Sequence, residues 1–165
     1  FPLLIERDKP VLSYPSNAYW IDIGTPEKYL KVNHDLLLKW DSPEPQTEGK
    51  SQIHQHARIE GPVLIGEGCV IAAGARIKGP VVLGPRCEID EGAAIEGAIL
   101  WQGARVGKRA LLRNCVVCSH SYIQDNSHVL DNCVIGDSVT VGTGYKLTQD
   151  TQVWPDGYVE PDIKC

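Results

Sequence analysis

The segment "ARIEGPV" at residues 57–63 returns as "ARIKGPV" at 75–81, "AAIEGAI" at 93–99, "ALLRNCV" at 110–116 and "HVLDNCV" at 128–134. The starts are spaced 18, 18, 17 and 18 residues apart. A shorter period lies beneath. Ile59, Ile65, Ile71, Ile77, Leu83, Ile89 and Ile95 recur every six residues, and Val117, Ile123, Val129, Ile135 and Val141 resume that spacing. Trp101, Val106 and Leu112 carry it across the gap with a one-residue slip. Six is neither the period of a helix nor that of an alternating strand. It is the length of a short strand plus a corner. Three such units close one turn of a three-sided solenoid, so the spacing predicts about five stacked coils over residues 53–144.

Individual columns of the repeat carry physical meaning. The fifth reads Gly61, Gly79, Gly97, Asn114, Asn132. Gly, and after it Asn, tolerates positive φ, which a tight corner demands. The fourth reads Glu60, Lys78, Glu96, Arg113, Asp131, alternating in sign at every step. Stacked strands lie about 4.8 Å apart, so each charge would face opposite charges on both neighbouring coils. That arrangement favours one stacking register over its neighbours. The third column, Ile59, Ile77, Ile95, Leu112, Leu130, predicts an internal aliphatic ladder. The seventh, Val63, Val81, Ile99, Val116, Val134, reads as a flank of the next face.

Composition narrows the function. Sixteen basic and 21 acidic residues give a net charge of −5, which argues against nucleic acid as a partner. The longest apolar runs are far shorter than the roughly 20 residues needed to span a bilayer, and no signal-peptide pattern is present. Five of the six cysteines (Cys69, Cys87, Cys115, Cys118, Cys133, but not Cys165) lie inside repeat units and read as reduced, buried thiols of a cytoplasmic protein. Cys115-x-x-Cys118 has zinc-like spacing, but no second pair completes four ligands. The chain starts at Phe1 and contains no Met, so a piece of a longer translation product is expected.

Flanking the repeat, "VLSY" (11–14) and "YWIDI" (19–23) read as short strands separated by a turn. Thr25 caps a helix over 26–40 with Pro26 at its first position. Tyr29, Val32, Leu36 and Trp40, with Leu30, Asn33 and Leu37 alongside, give that helix a broad apolar face. Its expected cover is the first coils of the solenoid or a second copy of the chain. The expected organisation is 1–40, the end of a preceding domain; 41–52, a linker; 53–144, the solenoid; and 145–165, a tail that folds back over the solenoid's open end.

The repeat, with segments such as "IGEGCV" and "IGDSVTVG", resembles the hexapeptide-repeat, left-handed parallel β-helix family. "YWIDIGTPEKYLKVN" (19–33) resembles the end of the catalytic domain of sugar nucleotidyltransferases, through Trp20, Asp22, Gly24, Thr25, Pro26, Tyr29, Leu30 and Asn33. With "VWPDG" near the end, the combination is most similar to mannose-1-phosphate guanylyltransferases and related NDP-sugar pyrophosphorylases. The resemblance implies attack of a sugar 1-phosphate on the α-phosphorus of a nucleoside triphosphate, with loss of pyrophosphate and the help of Mg²⁺. It implies Asp22 as a metal ligand and Gly24 and Thr25 as the turn beside the substrate. The family's Gly-rich nucleotide loop and its first metal carboxylate have no counterpart here, so neither turnover nor a bound cofactor is expected of these 165 residues alone. A homo-oligomer built on solenoid faces is expected.

Other readings compete. Hexapeptide solenoids also serve acyltransferases, for which His120 is the best candidate base, and zinc carbonic anhydrases, whose three-histidine spacing is not reproduced by His34, His54, His56, His120 and His128. A third possibility is a stand-alone structural or oligomerisation module. The basic cluster Arg105, Lys108, Arg109 and Arg113 reads either as a phosphorylated-effector site or as a solvated face.

Overall fold

The computed structural model describes residues 1–40 and 44–160. Cys165, the start of the expected linker and the end of the expected tail lie outside them. The chain forms a parallel β-helix of about six turns. Every coil contributes a two- or three-residue strand to each of three sheets, of seven, seven and six strands. The first sheet runs from Gln46–Thr47 to Gln152–Val153, the second from Gln52–Ile53 to Tyr158–Val159, and the third from Arg58–Glu60 to Lys146–Leu147. Among the described residues no helix interrupts the coils.

The solenoid is thus longer than the repeat alone suggested, at both ends. The segment after Gly144, as far as residue 160, does not fold back. Gln152–Val153 pairs in parallel with Val134–Ile135, and Tyr158–Val159 with Thr140–Val141. The reason is visible in the spacing: Leu147, Val153 and Val159 continue the six-residue step from Val141 and point inward or half inward.

The core is one aliphatic stack. Ile65, Ile71, Ile77, Leu83, Ile89 and Ile95 are essentially inaccessible, and Leu100, Val106, Leu112, Val117, Ile123, Val129, Ile135 and Val141 continue them. The slip is resolved here. Leu100, fully buried, carries the ladder, and Trp101 is 40% exposed outside it. Likewise Val129, not Leu130, pairs with Leu112 in the third sheet. Two steps are five residues long instead of six: Ile95 to Leu100 and Leu112 to Val117. Both fall at the corner between the third and first sheets. In the two preceding coils that corner holds Gly61-Pro62 and Gly79-Pro80; the short corners lack the proline.

Beside each large residue stands a small one. In register along the second sheet run Ser51, Cys69, Cys87, Ala104 and Ser121. The hydroxyl or thiol donors of this column are satisfied by backbone carbonyls: Cys69 Sγ donates to Gly84 O at 3.2 Å, Cys87 Sγ to Trp101 O at 3.2 Å, and Ser121 Oγ to Gly136 O at 2.6 Å. The seventh column of the repeat splits accordingly. Val63 and Val81 align with Ala98, Cys115 and Cys133 inside, whereas Ile99, Val116 and Val134 align with Val82 outside. The cysteines described are free thiols, and all but Cys118 are buried. Burial holds the Cys115 thiol far above its ordinary range.

The corners use the left-handed region as expected, though more widely. Gly61, Gly97, Asn114 and Asn132 have φ of 78°, 60°, 45° and 61°. Gly79 lies outside the left-handed region; a Cβ there would meet Pro62 O at 2.5 Å, so close approach and not positive φ excludes a side chain. The other two corners are also left-handed, and there Arg86, Arg109, His120 and Ser138 adopt φ of 55–59°. The alternating charge column forms as stacked pairs. Lys78 Nζ lies 2.7 Å from Glu96 Oε1, and Arg113 engages both oxygens of Asp131, at 3.1 and 2.7 Å. Arg113 and the Asn114 amide hold the Asp131 carboxyl below its usual range.

Ahead of the solenoid, α1 spans Pro2–Glu6 and α2 spans Pro26–Leu38. The strands expected at 11–14 and 19–23 are not formed, and nearly all of residues 1–25 are exposed. A strand needs a neighbour for its backbone N–H and C=O groups, and among the described residues no strand is placed beside these segments. Helix α2 ends two residues earlier than the periodicity suggested. Its buried residues are Leu30 and Leu37, while Leu36 and Trp40 are 57% and 48% exposed. Leu30, flanked by Tyr29, packs on Ile99 and Val116 of the first sheet, with Val82, Cys118 and Val134 around them. The helix therefore covers the middle coils of its own solenoid, not the first ones.

Two substitutions test these placements. Leu100→Ala should cost about 2–5 kcal/mol of unfolding free energy in urea, the usual loss for a fully buried leucine, and clearly more than Trp101→Ala; the reverse order would put Trp101 back in the ladder. Leu30→Asp should release α2 and expose the helix itself, Pro26–Leu38, to limited proteolysis while leaving the β-sheet circular dichroism signal intact.

Candidate functional site

Residues 19–34 bring the sequence motif onto the solenoid wall. Thr25 precedes α2 in an extended conformation, and its Oγ1 accepts from Lys28 N at 3.4 Å. Pro26 occupies the first turn, where its missing N–H costs nothing. Three contacts then fix the helix. The indole Nε1–H of Trp101 donates to the Tyr29 hydroxyl at 3.2 Å, with the rings edge-on at 6.4 Å. His34 Nε2 lies 2.9 Å from Gly97 O; a carbonyl only accepts, so that nitrogen carries the proton. Leu30 fills the space between them. Both polar anchors, Gly97 and Trp101, bracket the first of the two shortened corners.

The segment before the helix is tied to it. The Tyr19 hydroxyl donates to Asp35 Oδ2 at 2.6 Å, and Lys39 Nζ sits 3.8 Å from the centre of the Tyr19 ring. Lys31, at 2.7 Å, and Tyr19 together hold the Asp35 carboxyl below its ordinary range. The same hydrogen bond, made by its neutral form, raises the Tyr19 phenol.

Between the start of α2 and the first sheet lies an open, mainly apolar groove of about 340 Å³, with Ile23, Gly24, Thr25, Tyr29, Trp101 and Cys118 on its walls. Burial and the nearby Asp137 push the Cys118 thiol up to about 11. The sequence-predicted residues divide here. Gly24 and Thr25 line the groove. Asp22 stands beside it, its side chain 65% exposed and its Oδ2 3.6 Å from Lys28 Nζ. Among the described residues no group of three or more Asp, Glu, His or Cys side chains converges on a point that could hold a metal. A lone carboxylate with an ammonium beside it does not fit Mg²⁺, which needs several oxygen donors.

Other sequence candidates fall apart in space. Cys115 points into the core and Cys118 lies outside it against the helix, so the two thiols share no ligand geometry. The cluster Arg105, Lys108, Arg109 and Arg113 is already engaged, by Glu88, Glu91, Asn126 and Asp131 respectively. His120 sits on an exposed corner with φ of 59°. Sequence reasoning missed Trp101 and His34 as anchors of the helix. The available signal was the outward row Val82, Ile99, Val116, Val134, apolar where a solvated row would be polar.

Comparison with known proteins agrees with this picture. Glucose-1-phosphate adenylyltransferase of Bacillus cereus (strain Q1) is 29% identical over 138 residues, 76% of this chain and 35% of that protein. The corresponding protein of Bacillus mycoides (strain KBAB4) is 28% identical over the same coverage. The chain thus spans about a third of the length (35%) of the curated relatives it matches. A solved hexapeptide transferase family protein from Anaplasma phagocytophilum has a TM-score of 0.65 at 20% identity, over 69% of this chain and 72% of that one, a likeness of fold. No helix among the described residues is long and apolar enough to cross a membrane. The family described as the EIF2B subunit epsilon LbH domain matches residues 46–147, which are the coils themselves, and the chain belongs to that family.

Proposed function

We propose that this chain is the C-terminal part of a cytoplasmic sugar-1-phosphate nucleotidyltransferase of the mannose-1-phosphate guanylyltransferase kind, with its solenoid serving assembly or regulation. One observation carries the reading. The segment that resembles the end of a catalytic domain, Tyr19–Asn33, is not loose: Leu30, the Tyr29–Trp101 pair and the His34–Gly97 bond fasten it to the solenoid. The partial coverage of the adenylyltransferase relatives supports the same division.

In the reaction, an oxygen of the sugar 1-phosphate attacks the α-phosphorus, the bond to the bridging oxygen breaks, and pyrophosphate leaves. The residues here contribute position. Gly24 gives a substrate close access to the backbone, and the capped start of α2 presents N–H groups and a positive dipole end toward an anion. The exposed Leu36 and Leu38 of α2 and Trp40 just beyond it support association of copies. The acyltransferase alternative rests on fold likeness alone.

The test is a full-length protein assayed for pyrophosphate release with a panel of nucleoside triphosphates and sugar 1-phosphates. Turnover with GTP and mannose 1-phosphate above the other pairs is expected. Turnover only with ATP and glucose 1-phosphate would reassign the specificity, and acetyl transfer from acetyl-coenzyme A without any pyrophosphate release would overturn the reading. These 165 residues alone should release pyrophosphate at background. Sedimentation at micromolar concentration should show a species larger than the monomer.

A further inference from the structure

The outer row of the third sheet reads Arg58, Arg76, Ala94, Leu111 in register. Arg58 and Arg76 are direct neighbours on adjacent strands, about 4.8 Å apart by sheet spacing. Like charges opposed in this way repel. Elsewhere on the solenoid the stacked cations Lys78, Arg105, Lys108 and Arg113 each meet a carboxylate. Among the described residues, neither Arg58 nor Arg76 has a side-chain hydrogen bond or ion pair. Beyond them Ala94 truncates the row. A shallow dish of about 250 Å³ results, walled on its far side by Glu60, Lys78 and Glu96. Three cations against two carboxylates leave it one positive charge in excess.

We propose that this dish binds a small phosphorylated sugar, its phosphoryl group held between Arg58 and Arg76. The donor forks of two stacked guanidinium groups suit the oxygens of one phosphoryl group, and that anion removes the repulsion between them. Glu60, which has no ion pair among the described residues, is placed to accept from hydroxyls. The carboxylates on the far wall oppose a second anionic group, which disfavours nucleoside triphosphates and acidic peptides. Ala94 and Leu111 offer an apolar floor to a C–H face of the ring. The dish lies on a different sheet from the groove at Gly24 and Thr25. The choice of a sugar rests on the functional reading above; the preference for a phosphoryl group does not.

The experiment is isothermal titration of the 165-residue chain at fixed ionic strength with glucose 1-phosphate, inorganic phosphate and glucose. Glucose 1-phosphate should bind at one site per chain, phosphate more weakly and glucose not at all. Arg76→Glu should weaken both anions by about tenfold or more, as loss of a charge-assisted hydrogen bond does. It should also raise the melting temperature, because it replaces a repulsive pair with an attractive one. Arg76→Ala, which copies Ala94 one coil on, serves where glutamate disturbs the fold. Lys146→Glu, farther along the same row, should leave binding unchanged. Absence of binding by both anions, survival of binding in both Arg76 variants, or equal weakening by Lys146→Glu overturns the site. Phosphate binding as tightly as glucose 1-phosphate overturns the sugar assignment. Arg76-dependent binding here, with a full-length protein that fails the turnover panel, separates this inference from the nucleotidyltransferase reading.

Discussion

Apart from a tight-turn bond at some corners, each coil finds its backbone hydrogen-bond partners on the neighbouring coils. Arg58 N donates to Ala75 O, Arg76 N to Ala93 O, and Ala94 N to Ala110 O, and the same step repeats on all three sheets. A single coil therefore has almost no internal backbone bonding, and its stability is that of its two neighbours. The requirement fixes the rest. Adjacent coils must be nearly congruent at their corners, so left-handed residues mostly stack on left-handed residues, as Gly68, Arg86, Gly103, His120 and Ser138 do, with Gly79 between Gly61 and Gly97 the exception. Side chains of one column stand one sheet spacing apart, so charge, volume and hydrogen-bonding capacity are matched down columns and not along the chain. The small column of serines, cysteines and alanines follows from this, because three large side chains per coil already fill the prism.

A departure from congruence must be absorbed by adjacent coils together. The two short steps, Ile95 to Leu100 and Leu112 to Val117, lie on consecutive coils at one corner, so the sheets stay in register on either side of them. They also lie where α2 docks. Pro62 and Pro80 occupy the equivalent corner in the first two coils, whereas at the shortened corner Gly97 offers its carbonyl to His34. Removing one residue there leaves room for the helix. Ile99 and Val116, the outward residues that follow, become a covered apolar surface, and burial of Leu30 against them contributes about 1.5–3 kcal/mol.

The sequence was most legible where one column carries one property. The six-residue aliphatic step gave the core from Ile59 to Ile95, and the alternating signs from Glu60 to Asp131 gave the stacked pairs. It misled where two columns share a composition. Leu100 and Trp101, or Val129 and Leu130, are both apolar, and only the corner length decides which faces inward. Left-handed corners occupied by Arg86, Arg109, His120 and Ser138 were invisible, because residue type does not announce φ once stacking over-determines the backbone. At the candidate site, Asp22, Gly24 and Thr25 were recognisable as a motif, but their setting was not. It depends on the Tyr29–Trp101 and His34–Gly97 contacts, whose partners stand 72 and 63 residues apart in the chain.

The two surfaces singled out on this solenoid differ in how they depart from its stacking rule. On the first sheet the outer row is apolar, and the chain itself supplies the cover. On the third sheet the outer row places Arg76 on Arg58, and the described residues supply no partner. Lys78, Arg105, Lys108 and Arg113 each stand beside a carboxylate, and stability gives no reason to keep a direct arginine pair instead. A carboxylate at position 76 would extend the alternation already present at Glu60, Lys78 and Glu96. The cost of the arginine pair is small, on the order of the few tenths to 1 kcal/mol of an exposed cross-strand pair. It is the kind of cost that a ligand bridging the two guanidinium groups offsets.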